Sequence, residues 1–287
     1  MARAASKTSS SASRVKFSHL DKLMFPEANV TKGDLLKFYA DISRFLLPHL
    51  KDRPATLERL PDGIEGQRFF QKNAPDYYPD WIPRINLPTE EGKPVNYVIV
   101  NDLDTLLYLV NQGTITFHSH LSRIDSLEQP DYVLFDLDPG EREFKDVITI
   151  AKAIHNLLDA KKVKHFIKTS GKRGLHILSK PKVKTYEEGR AWAVTIAEQV
   201  VAQLPQIATM ERSIAKRGGR LYLDVMQNSL GKHVVPPYVL RATPLATVST
   251  PLEWKEVTPR LNPKKFTMDA VVKRIKGTKD PMAALLK

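Results

Sequence analysis

Between Tyr97 and Met226 the chain alternates short apolar runs of period two with longer runs of helical period, and this interleaving restricts its fold more than any other feature. Strand-like runs cover Tyr97 to Val100, Thr114 to Phe117, Tyr132 to Asp138, His165 to Thr169, Leu175 to Leu178 and Leu221 to Met226. Helical spacing marks Asp102 to Asn111, closed by Gly113, then Val147, Ile150, Ala151, Ile154, Leu157 and Leu158, then Tyr186 to Leu204. An earlier helix starts behind an acidic capping box, Thr31 with Asp34, and carries Leu35, Leu36, Tyr39, Ile42, Phe45 and Leu46 as far as Pro48. This order predicts an α/β (α+β) fold of mixed β-sheets flanked by helices. No internal repeat or Gly/Ser linker divides it, so residues 14–287 are expected to form one domain, preceded by a disordered tail, small and polar, over 1–13.

The segment Tyr132-Val-Leu-Phe-Asp-Leu-Asp-Pro-Gly140 carries the strongest chemical signal. Side chains alternate along a strand, so Asp136 and Asp138 share one face while Val133, Phe135 and Leu137 point to the other. Pro139 and Gly140 stop the strand and leave the two carboxylates at its open end. Such a pair repels itself, and a hard divalent cation is the ordinary compensation. In Arg220-Leu-Tyr-Leu-Asp-Val-Met-Gln227 the apolar positions again alternate, which turns Asp224 away from the core face. Three aspartates on two neighbouring strands suit two-metal chemistry, in which ions about 3.5–4 Å apart serve the attacking and leaving oxygens. Spacing alone leaves open whether the two strands are neighbours.

Thr169-Ser-Gly-Lys-Arg-Gly-Leu-His176 joins two strand-like runs through a turn holding two glycines, a hydroxyl, two cations and an imidazole. Backbone N–H groups and side chains in such a turn suit phosphate oxygens, although the spacing is not that of a Walker loop. Residues 161–190 hold ten Lys and Arg against two Asp and Glu, so most of the formal net charge of +12 is concentrated there, as a polyanionic partner requires. The chain has no cysteine, which excludes disulfides and thiolate zinc sites and fits a reducing compartment. No apolar run reaches membrane-spanning length, and no membrane partner is expected.

These segments resemble the polymerase domain of bacterial ligase D, a branch of the archaeo-eukaryotic primase superfamily, from about Val15 to Leu286. The resemblance rests on Asp21-Lys-Leu-Met-Phe-Pro26 with Thr31-Lys-Gly-Asp34, Arg53-Pro-Ala-Thr-Leu57, Phe69-Phe-Gln-Lys-Asn73, Phe135-Asp-Leu-Asp-Pro139, Lys168-Thr-Ser-Gly171 with Gly174-Leu-His176, and Tyr222-Leu-Asp-Val-Met-Gln-Asn228 with Pro237-Tyr238 and Arg241. It implies a primase-polymerase catalytic core with an RRM-like module. Asp136, Asp138 and Asp224 match the family's catalytic metal triad, for Mn2+ or Mg2+. His118, Ser170, Lys172, Arg173, His176, Gln227 and Arg241 fall where the family meets the incoming NTP or dNTP. Lys22 and Lys32 match a site for the DNA 5'-phosphate, Lys32 lying beside a helix N-terminus whose exposed N–H groups favour anions. Phe69 and Phe70 match a base-stacking position, with at least one of the two expected to be buried.

The implied activity is template-directed nucleotide addition with ribonucleotide preference, filling gaps and extending 3' ends in bacterial nonhomologous end joining. Its partners would be double-stranded DNA with gaps, overhangs or breaks and a 5'-phosphate, together with the end-binding protein Ku and a DNA ligase. The implied location is the bacterial cytoplasm, associated with the nucleoid. Two other readings fit parts of the pattern, a noncatalytic DNA-end bridging module and a metal-dependent phosphoesterase. The three aspartates argue against the first and the nucleotide-binding turn against the second. The sequence departs from its relatives at His120, where a tryptophan is common, and at Leu230, where an arginine often precedes the glycine at 231. No ligase or phosphoesterase segment is recognisable, so the chain reads as a stand-alone polymerase or as one domain of a longer protein.

Overall fold

The computed structural model describes residues 13–88 and 92–287. The expected tail lies outside the described residues except for Ser13, whose hydroxyl donates to Asp104 at 3.1 Å. A hairpin of β1 (Leu23–Phe25) and β2 (Val30–Thr31) leads straight into α1 (Lys32–Leu50). The capping box is present: the Thr31 hydroxyl accepts from the Asp34 N–H, and the Asp34 carboxylate accepts from the Thr31 N–H. The expected stop at Pro48 is wrong, because α1 continues through it to Leu50. A proline there removes only one helical N–H. Burial of Leu50, and of His49, whose Nε2 lies 2.9 Å from Asp280, holds the last turn.

The first half continues with β3 (Pro54–Arg59), β4 (Phe69–Gln71), β5 (Arg84–Leu87), β6 (Val95–Ile99), α2 (Leu103–Asn111) and β7 (Thr114–His120). The second contains β8 (Val133–Asp138), α3 (Phe144–Ala160), β9 (Lys164–Thr169), β10 (Leu175–Lys180), α4 (Tyr186–Gln203), β11 (Ala208–Thr209) and β12 (Leu221–Asp224). After these come β13 (His233–Val234), β14 (Pro251–Leu252) and α5 (Met268–Ile275). Two six-stranded sheets result. One has the order β13-β7-β3-β6-β5 with β4 added on β3, the other the order β11-β12-β8-β10-β9-β14.

In the first sheet Ala55, Leu57, Ile115 and Phe117 pack with α1 and α2 residues such as Leu35, Tyr39, Leu106 and Leu109. The opposite face therefore carries Thr56, Glu58, Thr116 and His118. The second sheet contains the succession β8-α3-β9-β10-α4-β12 with spatial order β12-β8-β10-β9, the split βαβ arrangement of an RRM-like module. Val133, Phe135, Leu137, Ile167, Ile177, Leu221 and Leu223 meet α3 and α4 on one face in a second core. Asp136, Asp138 and Asp224 are left on the other. Among the described residues no helix is long and apolar enough to cross a membrane.

The two halves are tied together at Arg53, which is 1% exposed. Its Nη1 donates to the Leu121 carbonyl at 2.6 Å, its Nη2 is paired with Asp131, and its guanidinium lies 5.4 Å from the Tyr132 ring. Asp131 leads directly into β8, so this contact sets how the carboxylate strand leaves the first sheet. Breaking a buried pair typically costs 3–5 kcal/mol, and here Asp131 keeps Arg123 at 2.8 Å as a second partner. Arg53→Ala is accordingly expected to lower unfolding stability by about 2–3 kcal/mol, seen as a lower urea midpoint at unchanged slope. A midpoint equal to that of the parent chain would show that Arg53 does not join the halves.

Candidate active site

Strand register places one row of polar side chains across the second sheet. Asp224 in β12 pairs with Asp136 in β8, Asp136 with His176 in β10, and His176 with Lys168 in β9. Asp138, two residues along β8, pairs with Tyr222 and stays on the same face. The Lys168 amine lies 3.0 Å from His176 Nδ1, and His176 Nε2 lies 3.4 Å from Asp136 Oδ1. An amine that donates to Nδ1 leaves the ring hydrogen on Nε2, facing the carboxylate. Lys168 also donates to Ser249 Oγ at 2.6 Å and is fully enclosed.

Burial pushes the Asp136 carboxyl up, but His176, with Lys168 and Arg241 behind it, outweighs this and holds it below the ordinary carboxylate range. Burial, and then the Arg241 charge, push Lys168 well below the usual lysine value. Burial and Lys168 together also lower His176 against the pull of Asp136. Asp224 is held by its own turn: Oδ1 accepts from the Met226 N–H at 2.8 Å and Oδ2 from Gln227 Nε2 at 3.1 Å. The turn is fixed by Asn228, whose side-chain amide exchanges two 2.8 Å hydrogen bonds with the Leu134 backbone as an added strand residue would.

The basic turn after β9 sits over this row. Gly174 is obligatory there, since a Cβ would lie 2.1 Å from the Leu137 carbonyl oxygen. Two of the turn's amides are already taken, since Ser170 Oγ accepts from the Lys172 N–H at 3.2 Å and the Gly174 N–H at 3.1 Å, which narrows the expectation that the turn offers its amides to phosphate. Its side chains remain. Arg173 donates to the Gly140 carbonyl at 3.0 Å and comes within 3.5 Å of Asp138, while Lys172 is exposed. Arg241 donates to the Ser170 carbonyl at 2.8 Å and is lowered by burial despite Glu58 and Asp136 nearby.

Arg241 therefore senses both sheets, and on the first it faces residues that sequence reading missed. Glu58 is fully buried, lies 3.2 Å from His118 Nε2, and pairs with Arg68 at 2.6 Å. Burial raises its carboxyl and His118 with Arg68 more than reverse this, leaving it low. Burial lowers His118 in spite of Glu58. Phe70, opposite Glu58 in register, stands edge-on to His118 with centroids 5.5 Å apart. At 37% and 54% exposed, Phe69 and Phe70 overturn the expectation that one of them is core. The reason is that β4 is a three-residue strand that pairs with β3 off the main strand order of the sheet. Thr56 Oγ1, Thr116 Oγ1 and Arg241 Nε are buried without a hydrogen-bond partner among the described residues.

Lys22 and Lys32 are brought together by the β1–β2 hairpin. The Lys32 N–H donates to the Lys22 carbonyl at 2.8 Å, Lys32 is lowered by burial and then by Lys22, and Lys22 pairs with Asp62 at 2.6 Å. The helix N-terminus beside them does not offer amides, correcting the expectation. The N–H groups of Lys32, Gly33 and Asp34 are taken by Lys22 O, Leu20 O and Thr31 Oγ1. A separate cleft of about 450 Å³ between α1 and α5 has Asp34, Asp41 and Asp269 in its walls, and its Lys37 is already paired with Asp41 at 2.5 Å.

The oxygen donors of Asp136, Asp138 and Asp224 share one face of adjacent strands, the chemistry hard divalent cations require. They do not converge to a single point. Among the described residues the one group of three such side chains with ligand atoms within 4.8 Å of each other lies elsewhere, at His155, Asp159 and His165. Each aspartate is instead drawn to its own partner, the Gly140 N–H at 3.1 Å in the case of Asp138.

The family of the LigD primase-polymerase domain matches residues 31–282. The chain is 38% identical over 266 residues to the bifunctional non-homologous end joining protein LigD of Bacillus subtilis, covering 92% of this chain and 43% of that protein. It is 30% identical over 262 residues to the multifunctional LigD of Pseudomonas aeruginosa, covering 89% and 31% respectively. It thus spans less than half the length of these curated relatives. Among solved structures, the polymerase domain from Mycobacterium tuberculosis ligase D in complex with DNA superposes with a TM-score of 0.90 at 27% identity, covering 96% of this chain and 99% of that one.

Replacing Lys168 by methionine removes a positive charge from beside a buried imidazole, which favours the protonated ring. In chelator-treated Lys168→Met protein, the His176 titration followed by NMR should therefore move to higher pH than in the parent. An unmoved or lowered midpoint with the fold intact would sink the Lys168–His176 contact.

Proposed function

The chain belongs to the LigD primase-polymerase domain family, and from that premise we propose that it is a template-directed DNA/RNA nucleotidyltransferase that fills gaps and extends 3' ends in bacterial nonhomologous end joining. The observation that carries the reading is the row Asp224–Asp136–His176–Lys168 beneath a basic turn and opposite a second polar sheet face. Asp136, Asp138 and Asp224 would hold Mn2+ or Mg2+. Bound there, such cations supply Lewis acidity for a 3'-hydroxyl and for a departing pyrophosphate. Ser170, Lys172, Arg173, His176 and Arg241 place one hydroxyl and several N–H donors around a triphosphate, and such donors bind phosphate oxygens strongly. Gln227 orients Asp224, and His118, held by Glu58, borders the same cleft.

Ribonucleotide preference, manganese use, partnership with Ku and a DNA ligase, and a nucleoid-associated cytoplasmic location rest on the resemblance to ligase D polymerase domains. The DNA itself is supported by the basic turn, by exposed Phe69 and Phe70 as stacking platforms worth about 1–3 kcal/mol per base, and by the Lys22–Lys32 pair. With the adjacent amides already bonded, a 5'-phosphate would meet two ammonium groups as point charges, displacing Asp62 from Lys22.

Three experiments test this. A primed, 5'-phosphorylated gapped duplex with Mn2+ or Mg2+ and labelled NTPs or dNTPs should yield a longer primer. Shortening would mean a phosphoesterase, and retention without change a bridging module. Asp136→Ala, Asp138→Ala or Asp224→Ala should abolish extension while much of the DNA binding persists, because the basic surface is untouched. Extension at the parental rate by the Asp136→Ala/Asp138→Ala protein would remove the metal assignment. In Lys22→Ala/Lys32→Ala protein, the affinity advantage of 5'-phosphate over 5'-hydroxyl gaps should shrink and the salt dependence flatten, with less effect on a simple primer-template. An unchanged phosphate preference would place that recognition elsewhere.

A further inference from the structure

The back of the second sheet holds another set of metal-type ligands, distinct from the aspartate row. His165 in β9 is out of phase with Lys168 and so faces α3, away from the cleft. His155 and Asp159 stand one turn apart at the end of α3, and the ligand atoms of all three residues lie within 4.8 Å of each other. His155 Nδ1 is 2.7 Å from His165 Nε2, and the Asp159 oxygens are 3.5 Å from His155 Nε2 and 3.8 Å from His165 Nε2. His165 Nδ1 donates to the Val163 carbonyl at 2.8 Å, which leaves the lone pair of Nε2 directed into the cluster. A histidine that ligates a metal is ordinarily fixed by such a backbone contact. The Trp254 ring stacks on His155 at 4.0 Å and 13° and lies 5.2 Å from His165, holding both rings in place.

From this geometry we propose that His155, Asp159 and His165 form a binding site for a divalent transition cation of the zinc type, which would staple the end of α3 to the start of β9. Two imidazoles and one carboxylate, with a fourth position for water, are an established zinc donor set. With Zn–N bonds of 2.0–2.1 Å at a tetrahedral angle, the two nitrogens must stand roughly 3.3 Å apart, so the histidine pair opens by only about half an ångström. His155 binds through Nδ1, its ring hydrogen moving to Nε2. Asp159 Oδ1, on the His165 side, takes the metal. The carboxylate is 62% exposed and has room to swing inward. Lys161, Lys162 and Lys164, all exposed beside it, weaken the attraction for any cation. Imidazole ligands select zinc over magnesium or manganese, which distinguishes this site from the aspartate face.

The test is calorimetric titration of Zn2+ into the full chain, its His165→Gln and Asp159→Asn variants, and an Asp136→Asn/Asp138→Asn protein. With excess Mg2+ present to occupy the aspartate face, one equivalent of zinc should bind to the parent and to the double aspartate variant, and affinity should fall tenfold or more in the other two, the scale seen even for loss of a metal's outer contacts. Should the histidine variant fail to fold, NMR of the unaltered chain decides: Zn2+ should shift the 15N signals of His155 Nδ1 and His165 Nε2, and Mg2+ should not. Equal zinc uptake by the folded His165→Gln protein, zinc loss confined to the Asp136→Asn/Asp138→Asn protein, or unmoved imidazole signals would each overturn the proposal.

Discussion

Everything around the candidate site answers to one awkward pairing, Asp224 directly opposite Asp136 on antiparallel strands. Like charges in that position destabilise a sheet, and here a third carboxylate, Asp138, lies two residues away. The register that creates the repulsion also supplies its compensation, since the same row continues into His176 and Lys168. Lys168 is too deeply buried to meet solvent and is held by Ser249 and His176. An enclosed amine with these partners makes sense only if anions lie close by, because burial of an uncompensated cation is far more costly than its packing is favourable.

Compensation then spreads to the facing sheet through Arg241, which interacts with Glu58 and Asp136 together. Glu58 in turn holds His118 and Arg68, and Arg68 lies 5.4 Å from the Phe70 ring. A single buried network thus runs from the carboxylate row, across the gap between the sheets, to the exposed aromatics. Its consequence is geometric. The charged groups face one another across the gap, and groups preorganised in this way can act on a substrate with little rearrangement.

Much of this was legible in the sequence, for identifiable reasons. Alternation in Val133–Asp138 and Leu221–Asp224 is regular because one face packs on α3 and α4, so the aspartates fall on the other face by parity. By contrast β3, Pro54-Ala-Thr-Leu-Glu-Arg59, has no visible strand signature, being buried along its whole length with polar residues on the cleft side. Glu58 went unnoticed for that reason. Lys168 was hidden differently: it stood in a recognised motif, but only cross-strand register reveals that it touches His176. Pro48 shows the opposite failure, where a strong local signal yielded to the burial of His49 and Leu50. The satisfied amides beside Lys32 and within the turn at Ser170 are likewise invisible to any pattern, because each depends on a partner whose direction only the folded backbone sets.

The departure at His120 can be read in the same physical terms. His120 and His233 pair across β7 and β13, their Nε2 atoms 3.0 Å apart, with the Tyr97 ring 5.4 Å from His120 and 5.7 Å from His233. One imidazole donates and the other accepts, which requires at least one neutral ring. Burial pushes His120 down to about 4 and His233 to about 3, so both are uncharged at neutral pH. Two neutral rings, one edge-on and one tilted against a tyrosine, fill the sheet edge and share a hydrogen bond between them. His120 shares a strand face with His118, so a charged pair here would have altered the potential of the cleft. Both rings being uncharged at neutral pH, the pair adds no charge to that face of the sheet.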